Sequence, residues 1–280
     1  MPDVTEPGRR LIWRSAALTD RGRKRRRNED ALLVLPDSRI YAVADGMGGH
    51  AAGDVASRLA IAALETTFRR PPSPLIHGPA LARRLMAVFD TANAAILEHA
   101  AVQRQCAGMG TTLTALSPLA ASPQSVIAHI GDSRAYRLRG AELSQLTRDH
   151  TWVQQQVDAG MLMPHEIRHH PLSNVLSRVL GTAAVGPADT FIVDVLPGDI
   201  FMLCSDGLTT MLEDAEIRTL LRNGGPLPTL ARSLVDAANA RGGLDNVTVV
   251  LLAPDPDTHN AADAAAPSTA TAPPMKSKYR

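Results

Sequence analysis

Short apolar runs that stop on an aspartate set the strongest limit on what this chain can become. IYAVAD (40–45), SVIAHIGD (125–132) and DIFMLCSD (199–206) each end in an acid followed by Gly or Ser, and NVTVVLL (246–252) starts directly after Asp245. Runs of this length, rich in β-branched residues and bounded by turn formers, read as buried strands. TTLTAL (111–116) and RAYRLR (134–139) read the same way. Links as tight as GDSR and RGAE leave no room for crossover helices, so the sheets are expected to be largely antiparallel.

Between these runs, 54–69, 79–100, 213–222 and 228–240 carry apolar residues at helical spacing. Pro79 is placed like a first-turn residue, and Gly224 and Gly225 like a helix stop. Strands paired through short turns and covered by helices give an α+β layered sandwich. From 149 to 181 one helical piece precedes a Pro- and His-rich irregular stretch, expected to form a flap beside the functional site. Residues 1–10 are expected to be a tail, 11–253 a single domain containing the flap, and 254–280 a disordered Ala/Pro/Thr-rich tail.

Composition narrows the function classes. With 29 Lys and Arg against 28 Asp and Glu, the net charge of +1 gives no global field for nucleic acid or anionic lipid. The run RGRKRRR (21–27) is the one dense cationic patch. It abuts NED and has no interleaved aromatics to stack bases, so a rim that attracts phosphorylated segments is expected and no nucleic acid. Cys106 and Cys204 show no CxxC spacing and are expected to be buried thiols in a reducing compartment. The start, MPDVTEPGRR, has no apolar signal core, and no stretch approaches the roughly 18 apolar residues of a membrane span. A soluble, cytoplasmic monomer with no membrane contact is expected.

The acids carry the chemistry. Asp45 in ADGMGG, Asp132 in IGDSRAY, Asp206 in CSDGL and Asp245 in GLDNVTVV lie at or just past strand ends, where side chains can converge. Glu29 and Asp30 in RNED form a further acidic pair. Hard oxygen donors without Cys or an HExxH pattern suit Mg²⁺ or Mn²⁺ rather than zinc. Each Asp-Gly alone is an ordinary turn. Together, RxxNED, DGMGG, GMGTTL, GDSRAY, CSDGL and GLDNVTVV occur in one order from about Leu11 to Leu252. In that set and order the chain resembles the metal-dependent protein phosphatases of the 2C type, in their compact bacterial form.

The resemblance implies an α-β-β-α sandwich of two antiparallel sheets and a serine/threonine phosphatase using two or three Mn²⁺ or Mg²⁺. It implies that Asp45 bridges two ions that share a water, with the Gly46 carbonyl beside it. Asp206 and Asp245 would serve the first ion and Glu29 the second, with Asp30 holding bound waters. Asp132, together with Asp206, would serve a third. Arg25, four positions before Glu29, matches the phosphate-binding arginine. Arg25, Asp45 and Asp206 are thus the expected catalytic residues. The nucleophile would be water, in keeping with the lack of a Cys-x5-Arg loop or a DxDxT-like motif. Metal is expected to be needed for site geometry, since carboxylates this close repel one another.

Two residues depart from the eukaryotic pattern or tempt as substitutes. Met47 stands where many eukaryotic relatives have a histidine that could serve as general acid, and His50 lies nearby. His165, His169 and His170 are expected to be solvated or substrate-facing, and Thr111 and Thr112 to be supports. Asn246 reads equally as a partner orienting Asp245 or as a plain turn cap. Expected partners are phosphorylated proteins, notably a bacterial Ser/Thr kinase and its substrates, including one controlling type VI secretion, with a small regulatory protein of a sigma-factor cascade as the alternative substrate. A catalytically inactive phosphoprotein-binding module is the alternative, although such a protein would be expected to have lost ligands.

Overall fold

The computed structural model describes residues 11–48 and 52–256. The expected tail at 1–10, residues 257–280 of the expected tail at 254–280, and His50 lie outside the described residues. Two antiparallel sheets form the centre. In the first, β1 (Leu11–Asp20), β11 (Val247–Pro256), β10 (Ile200–Cys204), β7 (Arg134–Arg139) and β8 (Glu142–Gln145) lie side by side in that order. The second runs β2 (Asp30–Leu35), β3 (Ile40–Met47), β5 (Leu113–Pro118), β6 (Gln124–Ile130) and β9 (Asp189–Asp194), with the short β4 (Gly110–Thr111) paired to the end of β3. Every paired register is antiparallel.

The sheets close on a shared apolar layer of Tyr41, Val43, Leu116, Ile127, Ala135, Phe201, Leu203, Val250 and Leu252. With few aromatics available, this layer is filled mainly by branched aliphatics at alternate strand positions. Opposite faces carry the helices. α1 (Gly53–Phe68) and α2 (Gly78–Val102) bury Leu64, Phe68, Leu81, Leu85, Phe89 and Ile96 against the second sheet. α5 (Asp214–Arg222) and α6 (Leu227–Ala240) bury Ile217, Leu221, Leu230 and Leu234 against the first. The α-β-β-α sandwich is therefore as expected.

Helix boundaries follow local chemistry. Pro79 sits in the first turn of α2, behind a His77 cap that accepts from Ala80 N. α5 ends before Gly224 and Gly225, both at positive φ. Between Asp149 and Gly181, α3 (Trp152–Asp158) is followed by a 3₁₀ segment, Pro164–His169. The remaining helix, α4 (Asp206–Thr209), starts two residues after β10.

Three features differ from expectation. β1, β2, β8 and β9 were not read as strands: in β1, LIWRSAALTD mixes polar and small residues, and its alternate burial appears only once it pairs along the whole of β11. β11 continues to Pro256, past the expected boundary at 253. Pro254 and Pro256 argue against a strand on sequence grounds, yet they pair with Trp13 and Leu11 at its far end. Finally, α2 is by length and composition long enough and apolar enough to cross a membrane, where no such stretch was anticipated. Its alanines raise the mean hydropathy, while Leu81, Leu85, Phe89 and Ile96 on one face are fully or almost fully buried in the core.

Candidate metal centre

Register brings the acids together. Antiparallel pairing of β2 with β3 sets Asp30 directly opposite Asp45, close enough for their side chains to interact. The first sheet meets the same edge through Asp206, two residues past the end of β10, and Asp245, two residues before β11. Asp132 joins from the β6–β7 turn, its carboxylate within electrostatic reach of Asp206.

Asp30, Asp45, Asp132 and Asp206 are each raised above the ordinary carboxylate range. Burial first, then repulsion from Asp30, Asp206, Asp132 and Asp245, holds Asp45 well above the usual carboxylate value. Burial and the charges of Asp206 and Asp149 do the same to Asp132. Asp30 is pushed up to about 7 by burial, against two hydrogen bonds that favour its charge. Asp206 is raised by burial and by Asp245, although Asp45 is near enough to share a proton with it. Glu29 is raised by burial, with Asp54 and Asp245 adding to it and Arg25 opposing.

The surroundings brace the acids without neutralising them. Asp30 Oδ2 accepts from Ser205 Oγ at 2.8 Å and Thr248 Oγ1 at 2.6 Å, while its Oδ1 and Asp206 Oδ1 are buried with no partner. Thr112 Oγ1 accepts from Asp45 N at 2.9 Å and pairs with Ser133 Oγ at 2.7 Å, tying the Asp45 strand end to the Asp132 turn. Thr111 Oγ1 donates to Asp45 O at 2.9 Å. The threonines are supports, as their sequence position suggested.

A site for cations is also written into the glycines. A Cβ at Gly53 would meet Glu29 Oε2 at 2.6 Å and Gly46 O at 2.8 Å. The Glu29 carboxylate and the Gly46 carbonyl therefore crowd one spot that only a residue without a side chain leaves open. Asp54 sits beside them: its Oδ2 accepts from Arg58 at 2.7 Å, and its Oδ1 is buried without a partner.

These residues fit hard divalent cations: oxygen donors only, buried lone pairs without donors, and charges that repel until something positive arrives. Among the described residues no three His, Cys, Asp or Glu side chains form a ready-made cage round one point.

Arg25 lies at the rim, its side chain half exposed, and donates from Nη2 to Asp245 Oδ2 at 2.6 Å. Asn246 resolves its two readings by doing more than either. Its Nδ2 donates to Arg21 O and Arg27 O at 2.9 and 2.8 Å, and its Oδ1 accepts from Glu29 N at 2.8 Å. It thereby clamps the loop that presents Arg25 and Glu29, while its own N–H holds Asp245 Oδ1 at 2.8 Å. Arg21, Arg23, Lys24, Arg26 and Arg27 are all exposed around this loop.

His165 and His169 are exposed on the 3₁₀ segment, and His170 packs against Trp152 with ring centroids 5.3 Å apart. Cys106 and Cys204 are buried free thiols. Met47 is exposed beside Gly46. Sequence reasoning missed Ser205, Thr248 and Asp54. The first two looked like generic strand-end hydroxyls, and Asp54 like an ordinary first-turn helix acid.

Comparisons with known proteins point to one family. The family described as Protein phosphatase 2C matches residues 19–243. The serine/threonine protein phosphatase PstP of Mycobacterium tuberculosis is 42% identical over 244 residues, which are 86% of this chain and 45% of PstP. This chain thus spans about half the length of that relative. A crystal structure of the PstP catalytic domain in complex with two manganese ions superposes with a TM-score of 0.77 at 39% identity, covering 88% of this chain and 99% of that one. The serine/threonine phosphatase stp of Listeria monocytogenes is 38% identical over 240 residues, 85% of this chain and 94% of stp. PppA, described as a key regulatory component of the type VI secretion system in Pseudomonas aeruginosa, superposes with a TM-score of 0.76 at 36% identity, covering 87% and 98% of the two chains.

Proposed function

The chain belongs to the protein phosphatase 2C family, and from that premise we propose that it hydrolyses phosphoserine and phosphothreonine in proteins, using Mn²⁺ or Mg²⁺ held by the acids at the joined sheet ends. The observation that carries this reading is the set of buried, mutually repelling carboxylates with orphaned oxygens at Asp30 and Asp206.

Asp45 lies centrally, within electrostatic reach of Asp30, Asp132, Asp206 and Asp245, and is assigned the bridging place. Asp206 and Asp245 are assigned to one side, Glu29 and the Gly46 carbonyl to the other, and Asp132 with Asp206 to a further ion. Asp30, with one oxygen held by Ser205 and Thr248, keeps the other free to orient water. When bound, the cations lower the pKa of water and offset the charge of the phosphate.

Arg25 keeps further N–H donors beyond the one given to Asp245, so its planar fork can take phosphate oxygens at the rim. The exposed arginines of 21–27 draw the anionic segment towards it. Met47 has no acidic proton to give, so the leaving serine or threonine oxygen would take its proton from water or from another residue. Described residues contain no thiol or acid set up as a covalent nucleophile: Cys204 is fully buried and pushed up to about 12 by that burial.

We place the protein in the cytoplasm as a monomer opposing a bacterial Ser/Thr kinase, and the likeness to PppA favours a role in type VI secretion control. The direct test is a phosphothreonine peptide incubated with Mn²⁺ or with EDTA. Phosphate release under Mn²⁺ alone supports the reading. Binding of the peptide without release identifies a phosphoprotein-binding module instead.

A further inference from the structure

The turn that carries Asp132 and both roots of the flap share one hydrogen-bond network, centred on a side chain outside the acid cluster. At the near root, Arg134 forks onto Asp149 with contacts of 2.7 to 3.1 Å. His150 N donates to Gly131 O at 2.7 Å, and His150 Nδ1 accepts from Gly131 N at 3.0 Å. Both peptide groups that precede Asp132 are thus held by one residue. On the other side of Asp132, Ser133 O accepts from Thr114 Oγ1 at 2.9 Å.

The far root of the flap reaches the same histidine. Ser177 N donates to His150 O at 2.9 Å, and Arg178 Nη1 donates to Asp189 Oδ1 at 2.7 Å. Because the Gly131 amide requires a lone pair on Nδ1, the proton of neutral His150 sits on Nε2 and points to Asp189 Oδ2 at 3.2 Å. Arg178 and His150 therefore both donate to Asp189, which explains their close approach of 2.9 Å. Beneath, the His150 ring stacks on fully buried His129 with centroids 4.8 Å apart. His129 is itself pinned by Thr114 Oγ1 and by the Arg148 carbonyl, at 2.9 and 3.1 Å.

We propose that His150 is a positioning residue: it fixes the Gly131–Asp132 peptide for cation binding and, through Asp189 and Arg178, makes the stance of the flap part of the same unit. The proposal rests on the assignment of Asp132 to a cation under the proposed function. A substrate that orders the flap would then also tighten the ion held by Asp132, and that ion would order the flap in return.

Two substitutions divide the histidine by its nitrogens. An asparagine carbonyl can reach where Nδ1 accepts, whereas a glutamine amide extends to where Nε2 donates. In full-length His150→Gln, the Gly131 amide should exchange more than about tenfold faster, and the weakest Mn²⁺ site, titrated by electron paramagnetic resonance, should weaken by about tenfold. The tighter sites should be unchanged. His150→Asn should keep the Gly131 protection and the Mn²⁺ affinity while flap amides 151–177 exchange faster. Arg178→Gln, at the less enclosed end of the network, should loosen the flap in the same way and covers the case in which a His150 variant fails to fold. The proposal is overturned if His150→Gln and His150→Asn behave alike, or if Arg178→Gln leaves flap exchange at the wild-type rate. Wild-type protein that binds no Mn²⁺ would sink the phosphatase reading, and with it the cation half of this proposal, while Gly131 exchange would still decide the clamp.

Discussion

Acids lie beside both ends of the β7–β10 pair, and the two ends treat them in opposite ways. Away from the site, Arg139 Nε and Nη2 hold buried Asp199 at 2.8 and 2.7 Å, and Arg139 with Arg137 holds Asp194. The hydrogen bond from Arg139 keeps the Asp194 carboxyl below its ordinary range. At the site end, Asp132 and Asp206 have each other and Asp45 for neighbours, and all three are raised. One end is complete as folded. The other is balanced only by retained protons or by an added cation, which is how a fold stores a site without becoming unstable elsewhere.

The largest effect should come from the unbalanced end. Asp45→Ala is expected to lower metal-dependent phosphate release by about 10³-fold or more, the scale of several kcal/mol of cation-borne transition-state stabilisation. Asp194→Ala, on the exposed far edge, should leave kcat within about twofold and stability within about 1 kcal/mol. Equal losses of activity in both variants would erase the distinction between the ends.

Arg25→Ala comes next, with kcat/KM expected to fall by about 10- to 100-fold, the scale of one or two charge-assisted hydrogen bonds. Thermal melts should show little change, because the ion pair it loses is largely exposed. A smaller effect of the opposite kind belongs to Arg139→Ala. Leaving Asp199 buried and unpaired should cost about 2 kcal/mol in denaturant titration, with turnover unchanged.

The smallest effect is a shift in melting with pH. Asp30 is pushed up to about 7 and Asp45 and Asp132 are raised, against about 3.9 in an unfolded chain. Folding therefore retains protons, and stability is lost as pH rises from about 4 through about 7. In EDTA the melting midpoint should be a few degrees higher at pH 6 than at pH 8. Mn²⁺ should reverse the order, because cations bind the deprotonated acids. A midpoint in EDTA that climbs with pH would mean the site acids are already balanced.

Much of this contrast was legible before the fold was known. Asp45, Asp206 and Asp245 stood out because a strand end, an acid and a turn former coincide three times, and the order of motifs supplied the rest. The far end was silent. Arg137, Arg139, Asp194 and Asp199 are ordinary surface letters until β7 meets β10 and Asp194 of β9 comes alongside. β1 was illegible for a related reason, since its pattern makes sense only beside β11. His150 and Asn246 were hidden by their chemistry: each works through backbone amides and carbonyls far away in sequence, and no local spacing reports such contacts.

The central claim is that the unbalanced end is a cation-dependent phosphatase site, and Asp206→Asn tests it with the least change of shape. Phosphate release from a phosphothreonine peptide should be measured for wild type and variant with Mn²⁺, with Mg²⁺ and with EDTA, on samples whose melts show both to be folded. The account predicts turnover by the wild type that EDTA abolishes and that the variant lacks. Wild-type turnover in EDTA, or a variant within about twofold of wild type, would contradict it.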